Sequence, residues 1–134
     1  MRTYVRMTSQ GSAYGRFRRA LQRGNLELVR AAASELPTIR LDDALHVCLL
    51  IRDRDPQRYE RAALRWVARF AVEARAATLS DVQTAAHALS RLPAEPEEAM
   101  SQLQRLCLAH QLGSTAWSYA GRISTPRQPG SDSP

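Results

Sequence analysis

In six successive stretches of this chain apolar residues recur three and four positions apart, and nowhere do apolar and polar residues alternate over the length of a strand. That spacing gathers side chains on one side of a helix and would scatter them over both faces of a sheet. An all-α fold follows, with about six helices in a compact bundle or a short stack of helical hairpins. Tyr14, Phe17 and Leu21 predict a first helix over about Ser12 to Arg23, stopped by Gly24. Asn25 is a natural N-cap for the second, which turns Leu26, Val29, Ala33 and Leu36 inward and is ended by Pro37. The third begins near Leu41, with Asp42 and Asp43 at the positive end of its dipole. Its middle, Val47 to Ile51, is apolar on every side, which marks it as the central element of the core.

The fourth and longest helix runs from about Pro56 to Ala77, with Asp55 as its N-cap and Pro56 at the first helical position. Tyr59, Ala63, Trp66, Val67, Phe70 and Ala74 form its buried face. The fifth covers Leu79 to Arg91 with Leu79, Val82, Ala86 and Leu89 inward, and Ser80 and Gln83 stand at capping-box spacing. Pro96, Glu97 and Glu98 open the sixth, whose inward residues are Met100, Leu103, Leu106 and Cys107 and which Gly113 closes. Residues 1–11 read as a flexible basic arm and 12–112 as the helical domain. More than half of residues 113–134 are Gly, Ser, Thr or Pro, so they read as a disordered tail. Trp117 and Tyr119 are unusual there, and are expected to pack back on the bundle, with a docking peptide as the other reading.

The charge is unevenly distributed. All nineteen basic residues are arginine, against thirteen acids, for a formal net charge of +6. Residues 1–26 hold six arginines and no carboxylate, so from residue 27 onward the thirteen arginines and thirteen acids cancel. Arg16, Arg19 and Arg23 form a row within about 60° of arc on the first helix. Arg58, Arg61, Arg65 and Arg69 form another within about 80° on the fourth, which Arg54 extends by a turn. Guanidinium groups so aligned can grip phosphates or carboxylates bidentately. Around the fourth helix, Asp53, Asp55, Glu60 and Glu73 are near enough to turn that row into a salt-bridged outer face. Around the first, neutralisation needs an acid from elsewhere in the fold or from a partner.

Gly24-Asn25-Leu26-Glu27-Leu28-Val29-Arg30 resembles the start of the second helix of an ankyrin repeat, where a Gly-Asn turn precedes Leu-Glu-x-Val. The likeness spans about ten residues, with no Thr-Pro-Leu-His turn and no period of about 33 residues, so it implies a shared helix–turn–helix corner and nothing more. In style the whole chain is similar to small uncharacterised helical proteins of actinobacteria rich in Ala, Arg and Leu. That resemblance implies a bacterial cytosolic origin and no activity.

Candidates for chemistry are few. The six glycines make no phosphate-binding loop, and no H-E-x-x-H or C-x-x-C is present. Cys107 and His110 share a helix face but are two ligands short of a zinc site. Cys48 lies in the most apolar segment, the wrong setting for a reactive thiol. No signal-type or membrane-spanning apolar run stands in the chain. The expected protein is therefore a cytoplasmic all-helical interaction module, adaptor or regulator, that binds a protein partner or forms a homo-oligomer. No enzymatic activity, cofactor, metal or membrane contact is expected. The alternative is a nucleic-acid-binding accessory protein that contacts phosphates through the first helix and the fourth-helix stripe.

Overall fold

The structure, a computed structural model, describes the backbone of residues 2–112 and the side chains of residues 13–112. Six helices account for it: α1 (Arg2–Arg23), α2 (Leu26–Ala33), α3 (Leu41–Arg54), α4 (Tyr59–Glu73), α5 (Leu79–Arg91) and α6 (Pro96–Ala109). A single 3-10 turn, Pro56–Arg58, leads into α4, and the described residues contain no strand. The expectations for Trp117, Tyr119 and the tail lie outside the described residues.

The helices pair in chain order, α1 with α2, α3 with α4 and α5 with α6, and α4 also packs on α5. The apolar middle of α3 has the consequence expected of it. α3 touches α1, α2, α4 and α6, and buries Leu45, Cys48, Leu50 and Ile51. Trp66 and Phe70 of α4 stack face to face at 5.6 Å and 7°, and Phe17, Leu41, Leu92, Met100 and Leu103 close the core around them. Each large apolar side chain so buried contributes about 1.5–3 kcal/mol.

The ends of the helices show how few residues set the topology. The N–H of Gly24 bonds the carbonyl of Leu21 and that of Asn25 the carbonyl of Ala20, which closes α1 in a Schellman motif. Gly24 sits at φ 73°, where a side chain would be strained, and a Cβ there would meet the Arg54 guanidinium at 3.1 Å. One residue on, the Asn25 side chain accepts from the N–H of Leu28 and caps α2. Two residues thus end one helix and begin the next.

Several boundaries move. α1 begins at Arg2 rather than near Ser12, so the segment read as an arm continues the helix. α2 ends at Ala33, where Ser34 turns its hydroxyl back onto the Ala31 carbonyl; Ala32 is buried, and Ala33 and Leu36 pack partly buried against the core. Asp55 makes no side-chain cap; it pairs with Arg30 and Arg58 instead, and the chain passes through the 3-10 turn before α4 starts. α4 stops at Glu73, short of Ala77. The capping box of α5 is built by Thr78 and Asp81, two residues before the expected pair: Asp81 accepts from the Thr78 N–H and Thr78 from the Asp81 N–H. Within the helix Leu79 is 84% exposed, and Ala85, Ala88 and Leu89 are buried. At the end of α6 the left-handed residue is Gln111, at φ 60°, with the N–H of Leu112 on the Cys107 carbonyl at 2.7 Å.

Candidate functional site

The three antiparallel hairpins put their tight corners at one end of the bundle, and direct contacts tie them together. Arg54, in the last turn of α3, donates from Nε to the Gly24 carbonyl at 3.0 Å. Arg30 of α2 reaches Asp55 at 3.6 Å, and Arg58 reaches the same carboxylate at 3.3 Å. Arg52 donates from Nε to the Pro93 carbonyl at 3.0 Å, which joins the α5–α6 corner to the other two.

Along the α1–α2 pair this end opens into two adjoining grooves. The first, about 380 Å³, is walled by Arg16, Arg19, Arg23 and Glu35 and floored by Ala20, Ala31 and Ala32 beside Leu28. Leu28 is 47% exposed, so the groove carries real apolar surface among its cations. The second, about 580 Å³, lies around the corner and shares Arg23; Arg30, Arg54, Glu27 and Asp55 complete its rim. All three arginines of the first-helix row therefore stand on one surface, and α2 and α3 add two more that sequence spacing could not assign to it. Arg16 is the member that finds the expected outside acid, Glu35 of α2, in an exposed ion pair. Arg19 lies across Gly15, where an added Cβ would stand 3.3 Å from its guanidinium.

The fourth-helix row is split. Arg61 and Arg65 are exposed. Arg58 is held by Asp55. Arg69 is half-buried, donating to the Ile39 carbonyl at 2.8 Å and to Glu73 at 2.8 Å, so it pins the α2–α3 linker to α4. Sequence spacing finds the row but not this, because the carbonyl that claims Arg69 lies thirty residues away.

A second cluster went unread in the sequence. Asp42, Asp43 and His46, in the first turns of α3, are all buried. Solvated helix-start acids need only the dipole to explain them, but a central helix buries its first turn along with its middle. Tyr14 of α1 donates to Asp43 Oδ2 at 3.1 Å, and Oδ1 has no hydrogen-bond partner. His46 Nδ1 donates to the Asp42 carbonyl at 3.0 Å. Burial, and then the Asp42 charge, push the Asp43 carboxyl above its ordinary range; burial and the Asp43 charge do the same to the Tyr14 phenol.

Both cysteines are buried thiols, pushed up to about 12 by desolvation. His110, the neighbour of Cys107 in sequence, turns elsewhere: its ring meets Phe70 edge-on at 5.5 Å and its Nε2 faces Asp81 at 3.4 Å. Among the described residues no group of three His, Cys, Asp or Glu side chains is placed to hold a metal ion, and no helix is long and apolar enough to cross a membrane. The fold and this surface define an all-helical bundle with an arginine-walled groove. Compared with family models, curated proteins and solved structures, the chain finds no match.

Proposed function

We propose that this protein is an interaction module of the cytosol that docks an acidic segment of a partner protein on its α1–α2 surface. The observation that carries this reading is the combination in one groove of three arginines, Arg16, Arg19 and Arg23, with an apolar floor of Ala20, Ala31 and Ala32 beside exposed Leu28. An amphipathic peptide uses both parts, carboxylates on the arginines and apolar side chains on the floor. A polynucleotide would use only the first. One feature further favours a protein partner. The fourth-helix row is broken, with Arg69 held by the Ile39 carbonyl and Glu73 and exposed Arg58 facing Asp55, so it offers no uninterrupted track for phosphates.

The test compares two fluorescent probes at low salt: an amphipathic peptide with glutamates three and four residues apart beside leucines, and a DNA duplex. Their anisotropy is titrated with the wild type, the R16A/R19A/R23A variant and the R61A/R65A variant. The proposal expects the peptide to bind the wild type and the R61A/R65A variant and to be lost by the triple variant. Tighter binding of the duplex, lost in R61A/R65A, would replace this reading with the nucleic-acid one.

A further inference from the structure

We infer that one partner of the arginine surface is a second copy of this chain, paired end to end about a two-fold axis. This rests on the reading of the α1–α2 surface as a docking site and names an occupant for it.

Arg23, Arg30 and Arg54 line the larger groove with Glu27 and Asp55 among them, and Arg58 stands beside it on Asp55. The α5–α6 corner, joined to them through Arg52 and the Pro93 carbonyl, carries Glu95, Glu97 and Glu98 around a groove of about 590 Å³. Glu95 is paired with Arg91, whereas Glu97 and Glu98 are exposed in the first turn of α6. One end of the bundle therefore presents a basic patch and an acidic patch side by side.

A surface of that kind is complementary to itself. Rotation by a half-turn about an axis between the patches, near Arg52 and Asp53, lays each basic corner on the acidic corner of the other copy. Both contacts form at once, as a closed two-fold interface requires. Nothing else in the described chain offers the arginine surface so many carboxylates in a neighbourhood as small. The three corners are built of polar residues and prolines with Leu28 as the large apolar contribution, so the pairing is electrostatic, weak and salt-sensitive.

Charge exchange tests it. In R19E/R23E the basic patch loses Arg23 and gains two carboxylates along its α1 edge, and in E97R/E98R the acidic patch becomes basic. Each variant is then repelled by its own copies, but each is complementary to the other. Sedimentation velocity at about 20 mM salt, where screening is weak, is the readout. The wild type, 15.0 kDa as a monomer, is expected to rise toward twice that mass with concentration. Each variant alone stays monomeric, and an equimolar mixture recovers the dimer. Raising salt to about 300 mM dissolves both dimers. Arginine at the start of α6 opposes the helix dipole, so circular dichroism checks the fold and E97Q/E98Q, which removes charge without reversing it, serves as the milder variant. A wild type that is monomeric throughout, variants that still dimerise, or a mixture that stays monomeric overturns the inference. If the wild type is monomeric yet binds the acidic peptide through Arg16, Arg19 and Arg23, self-pairing falls and the docking surface stands. If neither occurs, both fall.

Discussion

The carbonyl of Leu89 shows how one buried side chain can replace a missing backbone donor. In α5 that carbonyl would accept from the N–H of residue 93, but residue 93 is proline and has none. The Tyr59 hydroxyl of α4 fills the place at 2.7 Å, and only the long 3.3 Å bond from the Leu92 N–H remains besides. Burial, its first cause, keeps that phenol protonated far above its ordinary range, so it is a donor at any working pH. Tyr59→Phe keeps the ring and its packing and removes the donor, which leaves a buried acceptor short of a partner at a cost of about 1.5 kcal/mol. For a domain of this size that lowers Tm by roughly 8 °C. Leu92 is helical at φ −56° and ψ −40°, so an N–H at position 93 would point at the same carbonyl. In a Pro93→Ala background the Tyr59→Phe substitution is therefore expected to cost under about 0.5 kcal/mol, because the backbone now serves the acceptor. Urea unfolding of the four proteins in this cycle, followed by circular dichroism, gives the coupling directly. Equal costs of Tyr59→Phe in the two backgrounds would refute the substitution of hydroxyl for amide.

Three further substitutions test two other points of the fold. Asp43 has a folded-state pKa raised above its unfolded value, so its ionisation favours unfolding: the protein is least penalised below the unfolded carboxylate range and loses stability as pH rises through the folded pKa. Asp43→Asn cannot ionise and leaves an amide nitrogen as unpartnered as the Oδ1 it replaces, so its advantage over wild type should grow as pH rises toward 7. The gap should close as pH falls toward 4, and a gap constant with pH in thermal melts would sink the account. Gln111, at φ 60°, holds a conformation that costs a side chain about 1–2 kcal/mol, part of which glycine returns as chain entropy, so Gln111→Gly should gain about 0.5–1 kcal/mol. His110→Gly, at an ordinary φ of −105°, should lose stability in the same melts, and the reverse order of the two would count against the strain.

The architecture was legible because it is written in local signals. The three-and-four spacing, Gly24-Asn25, Pro37 and Pro96 fix the number and order of the helices, and the wholly apolar run of Val47 to Ile51 identifies the central one. What escaped is non-local. The cap of α5 was misplaced because Ser80–Gln83 and Thr78–Asp81 have the same spacing, and only the packing of Ala85, Ala88 and Leu89 chooses between them. Arg69 looked like a surface cation until the fold delivered the Ile39 carbonyl to it. The first-helix arginines were found by charge arithmetic, but Arg30 and Arg54 joined their surface through a corner contact between chain segments thirty residues apart. Asp43 illustrates the same limit from the other side: its place in a helix start is local, its burial under Tyr14 is not.

The position of α3 in the chain has a consequence for synthesis. The helix with the most neighbours is third of six, and α6, one of its four coverings, ends fifty-five residues after it does. At about 5–20 residues per second, roughly 3–11 s separate the emergence of α3 from that of α6. The α1–α2 hairpin, closed by its own Gly24-Asn25 corner, is already out and can shield one side. The surface meant for α4 and α6 stays open in the meantime. Each nascent chain therefore passes through a stage in which its most widely packed helix is half covered, the stage at which holding chaperones compete with aggregation. Slowing translation between Arg54 and Ala109 would lengthen that exposure without changing a single residue of the finished fold.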